Sequence, residues 1–397
     1  MKQKLINLVK YVGFVYILYY YIMSFAINIL KIFVKPDAHL ILFNSYAGRK
    51  FDDSPKVVFD HMVKDPRFKD YRFVWAFHDP TKFEVCGAKK IKVDSFRYFV
   101  TALKARVWIT NSSVERGLNF KGKNTFYLNT WHGTPIKKMG SDIAKGNQAF
   151  ATKSGNPFDA MNAQGEFEAT VFSRVFHIPY ERFLMVGLPR NDRLVNHTID
   201  EREAIREELD IPVEKKVILY APTYREYEKD ENNGCVLTPP MNLKLWSEKL
   251  SEDYVLLFRA HYEVSRSMEI HEDGFLRDMT NYPSLEELMI AADILISDYS
   301  SIFFDFSVMD KPMYGFTYDY EKYATLRGMY FDIREYLPCA DNEQDMLERI
   351  LFGNTEEALR STQNFRRIFV DYCGSAAEKT VDFLADRLGC VEGSKRV

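Results

Sequence analysis

Hydrophobic and polar positions in this chain of 397 residues follow two regimes. The first is one continuous apolar run. Between Lys10 and Lys31 lie 20 uncharged residues, YVGFVYILYYYIMSFAINIL. About 20 such residues are just enough for a helix to cross a bilayer. The run is rich in tyrosine (Tyr11, Tyr16, Tyr19, Tyr20, Tyr21) and carries Ser24 and Asn28 in its later half. Tyrosine prefers the membrane interface, and flanking lysines suit anionic headgroups. The segment 1–36, closed by Pro36, is therefore expected to associate with a membrane, either as a single N-terminal anchor or as a helix lying in one leaflet. A buried core helix is the bland alternative, and the run is too long for the apolar region of a cleaved signal peptide.

After Pro36 the pattern changes to short apolar runs alternating with amphipathic stretches. HLILFNSYAG (39–48) predicts a strand entering a loop of small residues, and RFVWAFHD (72–79) a second strand. Between them, PKVVFDHMVKD (55–65) has helical spacing, with Val58, Met62 and Val63 on one face. ARVWITNSS (105–113) and NTFYLNTWHG (124–133) are further apolar runs with polar or glycine ends. The pattern restarts near residue 200. IDEREAIREELDI (199–211) predicts a charged helix capped by Asp200, and KKVILYAPTYR (215–225) and YVLLFRAH (254–261) predict strands. The stretch 284–309 reads helix, strand, turn, helix; 311–316 is one more strand, and 341–388 a helical tail. Alternating strand and helix is the α/β pattern, in which strand carboxyl ends carry the functional loops. The expected architecture is α/β: a membrane-associating segment (1–36) and two Rossmann-like domains (37–197 and 198–397) facing a cleft.

Composition sharpens this reading. Hydrophobic residues make up 46% and charged residues 27%, which excludes a disordered or multi-spanning chain. Net charge is −3, but residues 1–36 hold five lysines and no acid, so the remainder carries −8. Such a body has no electrostatic reason to bind nucleic acid. Five scattered cysteines form no CxxC pair and read as thiols in a reducing compartment. No GxGxxG, P-loop, DxD, HExxH or GxSxG motif is present, so no metal site is expected.

Several loops gather chemistry-bearing residues. In NTWHGTPIKKMG (129–140), Gly133 permits close backbone approach, Thr134 suits a helix N-cap and Pro135 its first turn. His132 would then stand beside free N–H groups, as a general base near an anion or as a structural histidine in a tight turn. In FRAHYE (258–263), Arg259 and His261 alternate on one face of a strand end and suit a phosphate oxygen. In ISDYSSIFFDF (296–306), Ser300 or Ser301 can cap a helix, and Asp298 suits a hydroxyl of a nucleoside or sugar. Pro222, Thr223 and Arg225 of YAPTYR, Arg190 of GLPRND and Arg327 of RGMYFD complete the candidates.

Taken in order, WHGTPIKKMG, GLPRND, YAPTYR, FRAH, SDYSSIFFDF followed by DKP, and YDYEKY with RGMYFD resemble the CDP-glycerol glycerophosphotransferase family, the teichoic acid primases and polymerases, over roughly residues 38–388. The resemblance implies a GT-B-like fold and transfer of glycerol phosphate from CDP-glycerol to a polyprenyl-diphosphate-linked saccharide or a teichoic acid or capsule polymer, with release of CMP. CDP-ribitol as donor, or sugar transfer from a sugar nucleotide, are the alternatives. The resemblance makes His132 and His261 the catalytic pair. It makes Trp131, Gly133, Thr134, Pro135, Arg190, Pro222, Thr223, Arg225, Arg259, Asp298, Ser300, Ser301 and Arg327 substrate-binding positions. No cofactor is required, and a Mg²⁺ carried by the nucleotide is compatible with the reading. The expected location is the cytoplasmic side of the cell membrane, against the anionic inner leaflet; oligomeric state is not legible. FDAMNAQGEFEATVFSRVF (158–176) departs from the family's polar, serine-rich approach to a helix, having Ala163, Gln164 and Gly165 there.

Overall fold

The computed structural model of the chain describes residues 13–143, 158–225, 235–237, 240–260, 264–267 and 273–390. The chain divides into two compact units: 1–132 with 145–190 and 375–397, and 133–144 with 191–374.

The first unit is built on a seven-stranded parallel sheet. Its strands are β1 (Asp37–Asn44), β2 (Arg72–Phe77), β3 (Ala88–Lys92), β4 (Ala105–Thr110), β5 (Phe126–Asn129), β6 (Ala160–Ala163) and β7 (Phe183–Met185), in the order β3-β2-β1-β4-β5-β6-β7. The order reverses between β1 and β4, and open α/β sheets bind ligands outside the carboxyl ends of strands at such a point. The strand interiors are nearly continuous apolar runs, as sheets covered on both faces require. Ile41, Phe43, Trp75, Phe77, Val107, Ile109 and Leu128 form the core with Val58, Phe59 and Met62 of the helix Asp53–Lys64. Phe59 takes the inward position expected for Val63, which is 42% exposed. The helix Ala376–Leu388 returns to this unit, packing Val381, Leu384 and Ala385 into the same core. A buried bond from Asn162 Nδ2 to Thr380 Oγ1 (2.8 Å) fixes it there. Contacts thus draw the end of the helical tail away from 198–397.

The second unit repeats the design. β8 (Lys216–Tyr220), β10 (Tyr254–Phe258), β12 (Leu276–Asp278), β13 (Ile294–Ser297), β14 (Met313–Phe316) and β15 (Cys339–Ala340) form a six-stranded parallel sheet ordered β12-β10-β8-β13-β14-β15. β9 (Cys235–Leu237) and β11 (Val264–Ser267) pair separately. The sheet order reverses beside β8, between β10 and β13. Thr198, not Asp200, caps the helix Ile199–Glu208: its hydroxyl accepts from Glu201 N–H at 3.1 Å, and Asp200 sits in the first turn. Residues 133–143 also belong to this unit. A β-bridge joins Lys137 to Met329, Lys138 N–H donates to Gly328 O (3.0 Å), and Tyr330 N–H donates to Ile136 O (2.8 Å).

Candidate active site

In the first unit the site begins with a polar rung. Asn44, Thr110 and Asn129 end β1, β4 and β5 in register, all fully buried. Buried amides must find partners, and these use theirs to shape the loops that follow. Asn44 Nδ2 donates to Ala76 O (3.1 Å), Asn129 Nδ2 to Ser112 O (2.9 Å), and Asn129 Oδ1 accepts from Trp131 N–H (2.7 Å). The loop after β1 is held likewise: Tyr46 N–H donates to Asn111 Oδ1 (2.7 Å) and Ala47 N–H to Ser112 Oγ (2.8 Å). Strain gathers here. Tyr46, Ala47, Asp53 and Trp131 have φ of 46°, 54°, 66° and 49°, a region non-glycine residues seldom occupy.

His132 follows β5. Its Nδ1 lies 2.7 Å from Asn111 O. A carbonyl only accepts, so Nδ1 carries the hydrogen and Nε2 the lone pair. The ring stacks on Trp131 at 4.3 Å between centroids, and Tyr46 lies 5.6 Å away. Trp131 in turn meets Phe172 and Phe176 edge-on. Burial pushes the His132 pKa below its ordinary 6.5, against the opposing pull of the Asn111 bond and of Asp53. The imidazole is therefore neutral at pH 7, the form a general base needs.

Behind it lies a buried ion pair. Asp53 Oδ2 accepts from Arg190 Nη1 (3.1 Å) and Tyr46 Oη (2.7 Å), and Oδ1 accepts from Ser54 N–H (2.6 Å). Burial alone would raise the Asp53 pKa, but Arg190, Tyr46 and Ser54 together hold it below the usual carboxylate value. The same Arg190 nitrogen donates to the His132 carbonyl at 2.8 Å. Arg190 is thus a strut that positions the His132 turn, where the sequence suggested a substrate contact.

In the second unit, the ends of β8, β10 and β13 bring together Pro222, Thr223, Arg259 and Asp298–Ser301. Asp298 is 1% exposed; Oδ1 accepts from Thr223 N–H (2.9 Å) and Tyr299 N–H (2.7 Å). Its Oδ2 accepts from Arg225 Nη1 (2.9 Å). Arg225 is itself buried and grips Asp319 with two parallel bonds of 2.7 and 2.9 Å. Asp298 and Arg225, expected from the sequence to meet substrate, are turned to each other, to Asp319 and to the Pro222–Thr223 turn, because a buried charge must be paired. Among the described residues, buried Thr223 Oγ1 at the strand ends has no hydrogen-bond partner, which suits a ligand oxygen. Arg259 Nη1 donates to the carbonyls of Met279 and Tyr282.

One helix start differs from expectation, and a second follows one of the two options the sequence offered. No helix begins at Thr134; residues 133–139 are irregular, with a bend at Ile136, and the backbone of Ile136 and Lys138 bonds to Tyr330 and Gly328. Thr134 is buried, Pro135 occupies no first turn, and Gly133 has φ 146°. Arg327 Nη1 donates to Lys138 O, tying the RGMYFD turn to this segment. The helix Ile302–Ser307 does begin after the serines, but Ser301 makes no side-chain cap. Instead Ser300 Oγ accepts from Ile302 N–H (3.3 Å). His261 lies outside the described residues. Among the described residues no group of three His, Cys, Asp or Glu side chains is placed to hold a metal ion.

Asn111, Tyr46 and Asp53 were not singled out in the sequence. The available signals were the polar triplet NSS ending an apolar strand and the NSYAG and DDSP turns.

Comparison with known proteins places this geometry. The sequence profile of the family described as CDP-Glycerol:Poly(glycerophosphate) glycerophosphotransferase matches residues 26–386. A teichoic acid poly(glycerol phosphate) polymerase of Staphylococcus epidermidis is 34% identical over 319 residues, covering 77% of this chain and 44% of that protein. A teichoic acid glycerol-phosphate transferase of Staphylococcus aureus is 31% identical over 332 residues, covering 79% and 84%. The chain therefore spans less than half of the first relative and most of the second. The solved structure of the wall teichoic acid polymerase TagF superimposes with a TM-score of 0.81 at 30% identity, covering 89% of this chain and 90% of that one. This chain belongs to the CDP-glycerol:poly(glycerophosphate) glycerophosphotransferase family.

Proposed function

We propose that this chain transfers glycerol phosphate from CDP-glycerol to a hydroxyl of a lipid-linked saccharide or a growing teichoic acid polymer. The observation that carries the reading is His132: a neutral imidazole with Nδ1 fixed on Asn111 O and its Nε2 lone pair available, at the strand ends of a sheet switch point. The acceptor oxygen attacks the β-phosphorus of CDP-glycerol and its proton passes to His132 Nε2. The bond from that phosphorus to the bridging oxygen breaks, and CMP leaves with the electron pair. Thr223, Arg259 and Ser300 are assigned to the CDP-glycerol diphosphate, with Arg259 offsetting developing charge. His261 is the second catalytic residue in this reading. No metal ligand is asked of the protein. A GT-B-like pairing of the two Rossmann-like units goes with the likeness to TagF, a variant of which has been studied with CDPG. A lipid-linked acceptor puts the enzyme on the cytoplasmic face of the cell membrane, where the apolar N-terminal segment has its use.

Donor identity is tested by supplying one nucleotide at a time with a synthetic lipid-disaccharide acceptor and reading CMP release and product mass. CMP and a product gaining glycerol phosphate are expected from CDP-glycerol. Turnover only with CDP-ribitol would reassign the alditol, a lesser match here because ribitol-phosphate relatives stand at 27–28% identity. UDP or GDP release without CMP would make the chain a glycosyltransferase.

The acid side of the pH profile tests the base. A general base must be deprotonated, so kcat/KM should rise with pH along a limb whose half-point lies below 6.5, His132 being shifted down from that value. Asp53→Asn removes a negative charge that favours the imidazolium, so the acid limb should move to still lower pH. Asparagine tolerates the Asp53 backbone at φ 66°. An unmoved limb, in a variant shown by melting to be folded, would separate Asp53 from the base.

A further inference from the structure

The carboxyl edge of the first sheet carries cations that the proposed reaction does not use. The body after residue 36 holds −8, yet Arg49, Lys50, Lys92 and Arg116 all stand on this edge. Packing brings them together. The loop after β1 presses on the ends of β2 and β3 at Gly48, which has φ 91°; a Cβ there would meet Val93 Cγ2 at 2.7 Å. Gly48 O accepts from His78 N–H (2.8 Å), so Arg49 follows directly at the end of β2. Lys92, in register with Phe77, ends β3. The loop after β4 adds Arg116, whose Nε and Nη2 each bond Asp94 at 3.1 Å, leaving Nη1. His78 lies among these charges: burial, then Arg116, Arg49 and Lys92, hold its pKa below 6.5 against Asp94. Lys50 continues the strip towards the base, its Nζ 5.1 Å from the Tyr46 ring, which lies 5.6 Å from His132.

The acids of these loops are engaged. Asp94 holds Arg116, Asp53 holds Arg190, and Asp79 Oδ1 accepts from Thr81 N–H (3.1 Å) and Oγ1 (2.6 Å). Burial pushes the Asp52 pKa up. Among the described residues Arg49 and Lys92 make no ion pair, and both are exposed. Arginine and lysine in this setting suit phosphate oxygens. β2 and β5 are three strands apart in the sheet, so the strip ends about 14 Å from the strand that carries His132.

The donor does not account for this strip. Under the function proposed above, Thr223, Arg259 and Ser300 of the second unit take the CDP-glycerol diphosphate, and the acceptor's hydroxyl meets His132. Either acceptor carries phosphate away from that hydroxyl: a lipid-linked saccharide at its diphosphate, a growing polymer at each phosphodiester. The Arg116 end of the strip is also the end beside the apolar helix Gly13–Phe33, whose Tyr16 Oη donates to Gly117 O (3.1 Å). We infer that Arg49, His78, Lys92 and Arg116 form a subsite for the phosphate groups of the acceptor, with Lys50 between it and the base. This rests on the proposed transfer and assigns where its acceptor lies.

The test is Arg49→Ala with Lys92→Ala in the full chain, two exposed side chains whose loss should leave the melting temperature unmoved. CMP release is read in detergent with a polyprenyl-diphosphate disaccharide, a glycerol phosphate oligomer, and an alkyl disaccharide that has no phosphate. KM for the two phosphate-bearing acceptors should rise about tenfold or more. Added salt should weaken the parent more than the variant. KM for the alkyl disaccharide should not move. A rise with the diphosphate alone, or with the oligomer alone, supports the subsite and names the source of its phosphate. Unchanged KM for both, or an equal rise with the alkyl disaccharide, would overturn the inference. So would a variant that loses only its binding to phosphatidylglycerol vesicles, the strip then facing lipid headgroups. Lys64→Ala with Lys69→Ala, exposed at the opposite edge of the sheet, controls for net charge. Calorimetric titration of the glycerol phosphate oligomer reads the subsite without turnover. Binding by the parent that the variant loses, with no CMP released from any acceptor, would strike the proposed transfer and leave the phosphate site standing.

Discussion

His132→Ala is expected to lower kcat for CMP release from CDP-glycerol by about 10²–10⁴-fold, the span general bases contribute. The fold should survive. The ring is lodged between Trp131 and Tyr46, but its one described hydrogen bond goes to a loop carbonyl and not to the sheet core. CDP-glycerol affinity, measured by calorimetry, should stay near the parent value if, as proposed, the imidazole works on the acceptor's proton. A loss confined to kcat marks an interaction made in the transition state. The acid limb of the pH profile should vanish with the ring. Near-normal turnover of this variant would show that His132 is a structural residue of the turn. A rise in KM alone would make it a binding residue.

The strands that carry the site were legible because parallel strands covered on both faces leave nearly unbroken apolar runs. The ends of β1, β2, β4, β5, β8, β10 and β13 follow from such runs meeting polar or glycine residues. β3 was not legible: Ala-Lys-Lys-Ile-Lys is an edge strand in which only Ile91 is buried. β15 has two residues, and β6 and β7 have four and three, too few for any period. Helix starts failed where tertiary bonding outbid local preference. Gly-Thr-Pro is a fair opening for a helix, yet Ile136 and Lys138 pair with 328–330, some 190 residues away, and keep the segment out of a helix. The same limit governs the charged residues. A sequence shows that Arg190, Arg225 and Asp298 stand in loops at strand ends, but not whether they meet a ligand or each other. Burial decides, and it turned all three inward. Asn111 illustrates the converse. Its side chain holds the Tyr46 loop, but its bond to His132 comes from the backbone carbonyl, and a carbonyl has no residue type to read.

Arg225→Ala is the substitution expected to cost most stability. The guanidinium is 2% exposed and bonded on both sides, to Asp298 and bidentately to Asp319, and it lies 5.1–5.2 Å from the ring centroids of Tyr299, Tyr318 and Tyr323. Burial disfavours its charge, but Asp298 and Asp319 outweigh that and hold its pKa far above the ordinary value. Removing it leaves two carboxylates with little water and no counter-charge. Breaking a buried pair costs about 3–5 kcal/mol. At roughly 2–4 °C per kcal/mol for a unit of this size, Tm should fall by about 6–20 °C, read by calorimetry. Arg225→Lys should recover only part, because a point charge cannot span both carboxylates as the planar fork does. Arg225→Met combined with Asp298→Asn and Asp319→Asn should be more stable than Arg225→Ala, since it removes the orphaned charges as well. Affinity for CDP-glycerol should also drop in Arg225→Ala, through the Thr223 turn that Arg225 and Asp298 support. The two measurements together decide its role. A large fall in Tm with a modest loss of affinity identifies a clamp beneath the site. An unchanged Tm with lost affinity would return Arg225 to the ligand-facing place its sequence position suggested.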